Sequence, residues 1–131
     1  MKNIKITINT HSTFLPEQSA IDNHRYLWSY EITVLNEGMD FVQLLNRFWR
    51  ITDMTSHIEE VRGPGVVGLQ PLISPGKKFA YTSFCQLMTP QGTMEGHYEM
   101  QTLTEERFII NIPKFVLSSP VTSESMRGRL H

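Results

Sequence analysis

The sequence has one cysteine, Cys85, in 131 residues. A lone thiol cannot close an intrachain disulfide or build a thiolate metal cluster within one chain. A surplus of charge is missing as well: 12 Lys and Arg stand against 13 Asp and Glu, for a net charge of −1 and a pI near 6.5. Without a basic field there is little to neutralise phosphates, so nucleic acid is not an expected partner. No apolar run approaches the ~20 residues that a membrane helix needs, and the stretch from Met1 to Ile6 lacks the continuous apolar core of a signal peptide. The expectation is a soluble cytoplasmic protein without membrane insertion. A 3.6-residue apolar stripe is also absent; residues 40–48 come nearest to one and are not expected to be helical. There is no internal repeat, and the length suits a single core.

The period that is present is two. Tyr26, Trp28, Tyr30, Ile32 and Val34 alternate with Leu27, Ser29, Glu31 and Thr33, the pattern of a long strand with one apolar face. Asn36-Glu37-Gly38 supplies turn chemistry, and strand-like composition resumes over 41–53, so the two segments read as a hairpin. In the second, Leu45, Trp49 and Ile51 fall on one face, and Val42, Leu44 and Phe48 mostly on the other. Further strands are expected at 4–8, 58–62, 67–70, 78–87, 93–103 and 107–112, punctuated by Pro75-Gly76, Pro90-Gln91-Gly92 and Pro113. Short strands with turns at this spacing predict an all-β sandwich or barrel. The polar, Ser- and Thr-rich stretch from 118 to 131 is expected to lie outside the core as a tail, mobile or held by a neighbouring chain.

One motif invites an enzymatic reading. Gly63-x-Gly65-x-x-Gly68 has the spacing of a dinucleotide fingerprint, which requires a helix after the glycines and an acid about 20 residues on. Val66 and Val67 are poor helix formers, Pro71 and Pro75 follow closely, and Met88, Thr89 and Pro90 stand where the acid should be. Turn or bulge glycines are the plainer reading. A looser anion site remains, with backbone N–H groups and Arg62, Gly63, Gly65 and Gly68 as its members.

Other residues carry weaker signals. His57-x-Glu59 and His97-x-Glu99 each put a His and a carboxylate on one strand face, a donor set for a divalent cation; a solvated strand face with occasional ion pairing is the plainer reading. Cys85 beside Phe84 and Phe79 reads as a small core residue, not a nucleophile. Trp28 and Trp49 read as core anchors, and Asp53 as a turn former. Arg47, set among apolar residues, needs a carboxylate or an interface partner if buried. No catalytic constellation and no cofactor are expected.

The chain also resembles a known family. Phe14-Leu15-Pro16-Glu17-Gln18-Ser19 and Arg25-Tyr26-x-Trp28-x-Tyr30-x-Ile32-Thr33-Val34-x-Asn36-Glu37-Gly38 are similar to the opening of ApaG domains. Val42 to Asp53, Glu59 to Pro71, Phe79-x-Tyr81-Thr82-Ser83-x-Cys85, Pro90-x-Gly92-Thr93-Met94-x-Gly96-x-Tyr98 and Ile112-Pro113-x-Phe115 continue the series, so that residues 4–117 follow the family in order and 1–117 reads as one ApaG domain. The resemblance implies an immunoglobulin-like, fibronectin type III-like β-sandwich. It implies no known catalytic activity, an association of bacterial members with cobalt resistance and magnesium efflux, and a protein-binding role inferred for related eukaryotic domains. A gene neighbour encoding a diadenosine tetraphosphate hydrolase keeps a nucleotide polyphosphate or pyrophosphate ligand near the glycine turn as the alternative. Phe84, Gln86 and Phe48 depart from the Gly, Pro and His or Tyr usual at those places. The expected partner is a protein of unknown identity, with homodimerisation through sheet edges as one mode.

Overall fold

The computed structural model of the chain describes residues 3–120. Among them run eight strands: β1 (Ile6–Phe14), β2 (Tyr26–Asn36), β3 (Val42–Asp53), β4 (Ile58–Pro64), β5 (Leu72–Ile73), β6 (Lys78–Leu87), β7 (Gln91–Thr102) and β8 (Arg107–Ser118). Two single 3-10 turns, Pro16–Gln18 and Ile21–Asn23, lie between β1 and β2. The strands form two antiparallel sheets, β1-β2-β6 and β4-β3-β7-β8, with β5 paired to the start of β3. This is the expected all-β sandwich. No helix of the described residues is long and apolar enough to cross a membrane.

The period of two does its work on β2, where Tyr26, Trp28, Tyr30, Ile32 and Val34 are all buried. They meet Val42, Leu44, Trp49, Met94, Tyr98, Met100 and Leu117 of the facing sheet in one core. Trp28 packs on Phe14 and Tyr26, and Trp49 on Tyr30 and Phe115, so both tryptophans are core anchors. Along one flank β1 lies against β8, tied by Ser12 Oγ donating to the Val116 carbonyl at 2.9 Å, and from β2 Trp28 Nε1 donates to the Ser118 carbonyl at 2.9 Å. On the other flank the edges are β6 and β4.

The expected β2–β3 hairpin is replaced by an arch between sheets: β2 pairs with β1 and β6, whereas β3 pairs with β4, β5 and β7. Asn36 makes the corner. Fully buried, it donates from Nδ2 to the carbonyls of Asp40 (2.8 Å) and Ile73 (3.0 Å), and its Oδ1 accepts the Gly38 N–H at 3.0 Å. The assignment of faces on β3 is corrected too. The register shifts between Leu44 and Asn46, so Leu45 is a bulge. Val42, Leu44 and Trp49 therefore all face the core, and Phe48 points outward.

Residues 67–70 form no strand but the end of a tight turn, and the nearest strand is β5. β8 runs through Pro113, which an edge strand with a register shift opposite Met94 to Gly96 accommodates. β1 extends beyond Ile8 to Phe14 despite its polar composition, because β2 pairs with it throughout. Of the expected tail, Ser118 closes β8, and Ser119 is buried with its N–H on the Pro90 carbonyl at 3.1 Å. Residues 121–131 lie outside the described residues.

Candidate functional site

The glycine segment ends β4 and turns back toward β5. Gly63 stands opposite Arg47, whose guanidinium lies over it; a Cβ there would sit 3.0 Å from both terminal nitrogens. Arg47 Nη1 donates to the carbonyls of Pro64 (2.9 Å) and Gly65 (3.1 Å), so the arginine expected to need a carboxylate or an interface partner binds main-chain oxygens of the turn. Gly65, at φ 61°, donates its N–H to the Leu45 carbonyl at 2.7 Å. Val66 and Leu69 exchange backbone bonds of 2.8 Å around Val67 (φ 43°) and Gly68 (φ 80°), a tight turn with both central residues in the left-handed region.

No helix follows these glycines, which removes the conventional dinucleotide site. The anion set does not assemble either. The N–H groups of Gly65, Val66 and Leu69 are engaged by the chain. Arg62 and Gly63 border one depression while Gly68 borders another, and Gly65 lines neither.

The depression at Arg62 lies on the outer face of the five-stranded sheet. In register across β4, β3, β7 and β8 stand Arg62, Phe48, His97 and Asn111. The Arg62 guanidinium carbon sits 4.2 Å above the Phe48 ring centre, a cation–π contact. Phe48 stacks on His97 with centroids 4.9 Å apart and planes at 28°. The next row holds Pro64, Asn46, Glu99 and Ile109. Together these rows line a groove of about 430 Å³, which continues past Phe48 and His97 toward Arg50, Glu95, Asn111 and Lys114. Ile109 is 55% exposed on its floor.

The carboxylates of this face are paired. Glu60 binds Arg50 (3.0 Å), Glu95 binds Lys114 (3.5 Å), and Glu99 accepts from Asn46 Nδ2 (2.6 Å) and Arg107 (3.4 Å). Arg62 has no carboxylate within bonding distance among the described residues, which leaves the groove with a surplus positive charge beside an aromatic ring.

The metal set divides. His97 and Glu99 lie on the outer face, whereas Glu59 stands opposite Ile51 on the core-facing side of β4. His57 precedes β4 and gives its N–H to Asp53 Oδ1 at 3.1 Å. No group of three or more His, Cys, Asp or Glu converges on a cation position among the described residues. The expectation failed because alternation fixes the face within one strand but says nothing of which face a neighbouring strand's pair will share. Asp53 is the turn former it resembled: Oδ1 accepts from the Thr55 hydroxyl and from the N–H groups of Thr55 and His57, and the Thr55 hydroxyl above all holds its carboxyl below the ordinary range. Cys85 is buried, and desolvation pushes its thiol up to about 12, the setting of a core residue without thiolate reactivity.

Sequence reasoning missed Phe48 as a site residue, since it entered only as a departure from a family pattern. The signal was available, because Phe48 alternates out of phase with Trp49 and Ile51. A second depression, where Arg47 meets Tyr30, Tyr81 and Ser83, was missed because its members come from three strands far apart in the chain.

A family model described as the ApaG domain matches residues 16–102. The chain is 50% identical over 115 residues to the protein ApaG of Parvibaculum lavamentivorans, covering 88% of each. To the protein ApaG of Mesorhizobium japonicum it is 46% identical over 121 residues, 92% of this chain and 93% of that one. A crystal structure of a protein named ApaA from Bordetella pertussis superposes with a TM-score of 0.87 at 39% identity, over 89% of this chain and 95% of that one. With the match running through both sheets and the glycine turn, this chain belongs to the ApaG family.

Proposed function

We propose that this member of the ApaG family is a non-catalytic, cytoplasmic binding module that holds a protein partner in the outer groove of its five-stranded sheet. The carrying observation is the row of Arg62, Phe48 and His97, stacked across three strands and lining an open groove. Arginine and aromatic side chains are the residues that anchor protein interfaces, and here they stand on rigid strands beside exposed Ile109. Strand addition at an edge fits less well. β8 carries Pro113 and a register shift, and β4 is short and bears Glu59, Glu60 and Arg62, features that blunt edges. The association with cobalt resistance and magnesium efflux that the family resemblance implies would then run through the partner.

The test is affinity capture with tagged wild type, Phe48→Ala and Arg62→Ala, each checked for an unchanged β-sheet spectrum. Both side chains lie outside the core, so the variants should fold. The expected outcome is a partner recovered by wild type and lost by both variants. Recovery that is identical in all three would place the partner elsewhere and refute the proposal.

A further inference from the structure

On the flank where β6 and β4 are the edges, a cleft of about 190 Å³ enters the sandwich beside the glycine turn. Arg47, Tyr30, Tyr81 and Ser83 line it, with Trp49 and Val67 on its walls. Its chemistry is one-sided: hydroxyls and a guanidinium, with no carboxylate in the lining. The ion pairs among the described residues engage Arg50, Arg107 and Lys114, not Arg47. Both hydrogen bonds of Arg47 leave from Nη1, so its Nε–Nη2 edge has no protein acceptor among the described residues. That edge is a fork of parallel donors matched to the two oxygens of a carboxylate. A half-buried guanidinium in this state is short of a counter-charge.

The hydroxyls are disposed to donate. Tyr98 is fully buried, and its hydroxyl shares one hydrogen bond with that of Tyr81, in which either can donate. With Tyr98 as the donor, the Tyr81 proton is free for the cleft that it borders.

We propose that this cleft binds a monoanionic carboxylate, held bidentately by Arg47 and capped by the hydroxyls of Tyr81 and Tyr30. One guanidinium balances one negative charge. A phosphate dianion or a polyphosphate would bring charge that nothing in the lining offsets, at a desolvation cost. The carboxylate comes either from a free small acid or from an Asp or Glu side chain of a protein, and both present the same group to the same fork. Arg47 borders the outer groove as well as this cleft, whereas Phe48, Arg62 and His97 take no part in the inference.

The test is proton–nitrogen NMR of the whole chain, following the Arg47 Nε–H and the backbone amides of Val67 and Gly68. Sodium acetate, a capped Gly-Glu-Gly peptide, inorganic phosphate and sodium chloride are each titrated to millimolar concentration at constant ionic strength. A saturable shift with acetate and peptide alike supports a free-acid site, and one with the peptide alone supports a partner-borne carboxylate. In Arg47→Gln the amide response should vanish. Tyr81→Phe removes one cleft hydroxyl, and with it the partner of the Tyr98 hydroxyl, while keeping the Arg47 bonds to the turn, and should weaken binding roughly three- to tenfold. No saturable shift with either carboxylate, a stronger response to phosphate, or a response retained in Arg47→Gln would overturn the proposal.

Discussion

Gly65 and Gly68 belong to one motif and share the left-handed region, yet an added methyl meets different surroundings at each. At Gly65 (φ 61°) it would overlap the Leu69 carbonyl, and at Gly68 (φ 80°) it would enter open space. Gly68→Ala should therefore cost about 1–2 kcal/mol, the conformational strain alone. Gly65→Ala should cost at least about 3 kcal/mol, because backbone must also move. Urea unfolding of both variants measures the gap, and equal losses would mean that the turn is not built as described. The motif was legible as a turn from its prolines and missing helix. Its partner was not: Arg47 lies in another strand, and nothing local in the sequence says that a guanidinium covers Gly63. Asp53 was legible for the opposite reason, since the groups that it caps, Thr55 and His57, are its neighbours in the chain.

Among the elements, the arch from β2 to β3 decides where the groove can form. Asn36 binds three main-chain groups at that corner while fully buried. Asn36→Ala would strand those groups without water, and we expect a loss of about 2–4 kcal/mol. Asn36→Ala unfolding at the wild-type urea midpoint would show that the corner holds without it. Strand existence was readable on β2 because burial and alternation coincide along its whole length. Sheet membership was not, because two consecutive strands with apolar faces satisfy the same pattern whether they lie side by side or face each other across a core. The bulge at Leu45 was hidden likewise: it inverts the phase of β3 midway, carrying Phe48 to the outer face and Arg47 to the flank. Both depressions depend on that inversion.

At the scale of the whole molecule, the core contains acids that stay protonated. Burial raises the pKa of Tyr30, Tyr81 and Tyr98, and it raises that of Cys85 to about 12. The folded chain therefore keeps protons that the unfolded chain releases once pH passes the ordinary values of 9.0 for Cys and 10.0 for Tyr. The unfolded state then binds fewer protons, so stability is full below this range and falls as pH climbs through it. Urea midpoints should be lower at about pH 11 than at about pH 8; a flat profile would contradict the buried state of these groups. The fold class and the family were legible from alternation, turns and motif order. The site was not, because it is a row of residues from four strands that only the registers bring together.

On the proposed reading, a partner docks on the outer face of the five-stranded sheet and leaves the outer face of the other sheet free. Ile109 and Phe84 make a matched pair for testing it, at 55% and 59% exposed on opposite outer faces. A photoreactive amino acid placed at each position in living cells should yield a discrete adduct from position 109 and none from position 84. Adducts from position 84 alone, or equally from both, would show that the groove is not where the partner docks.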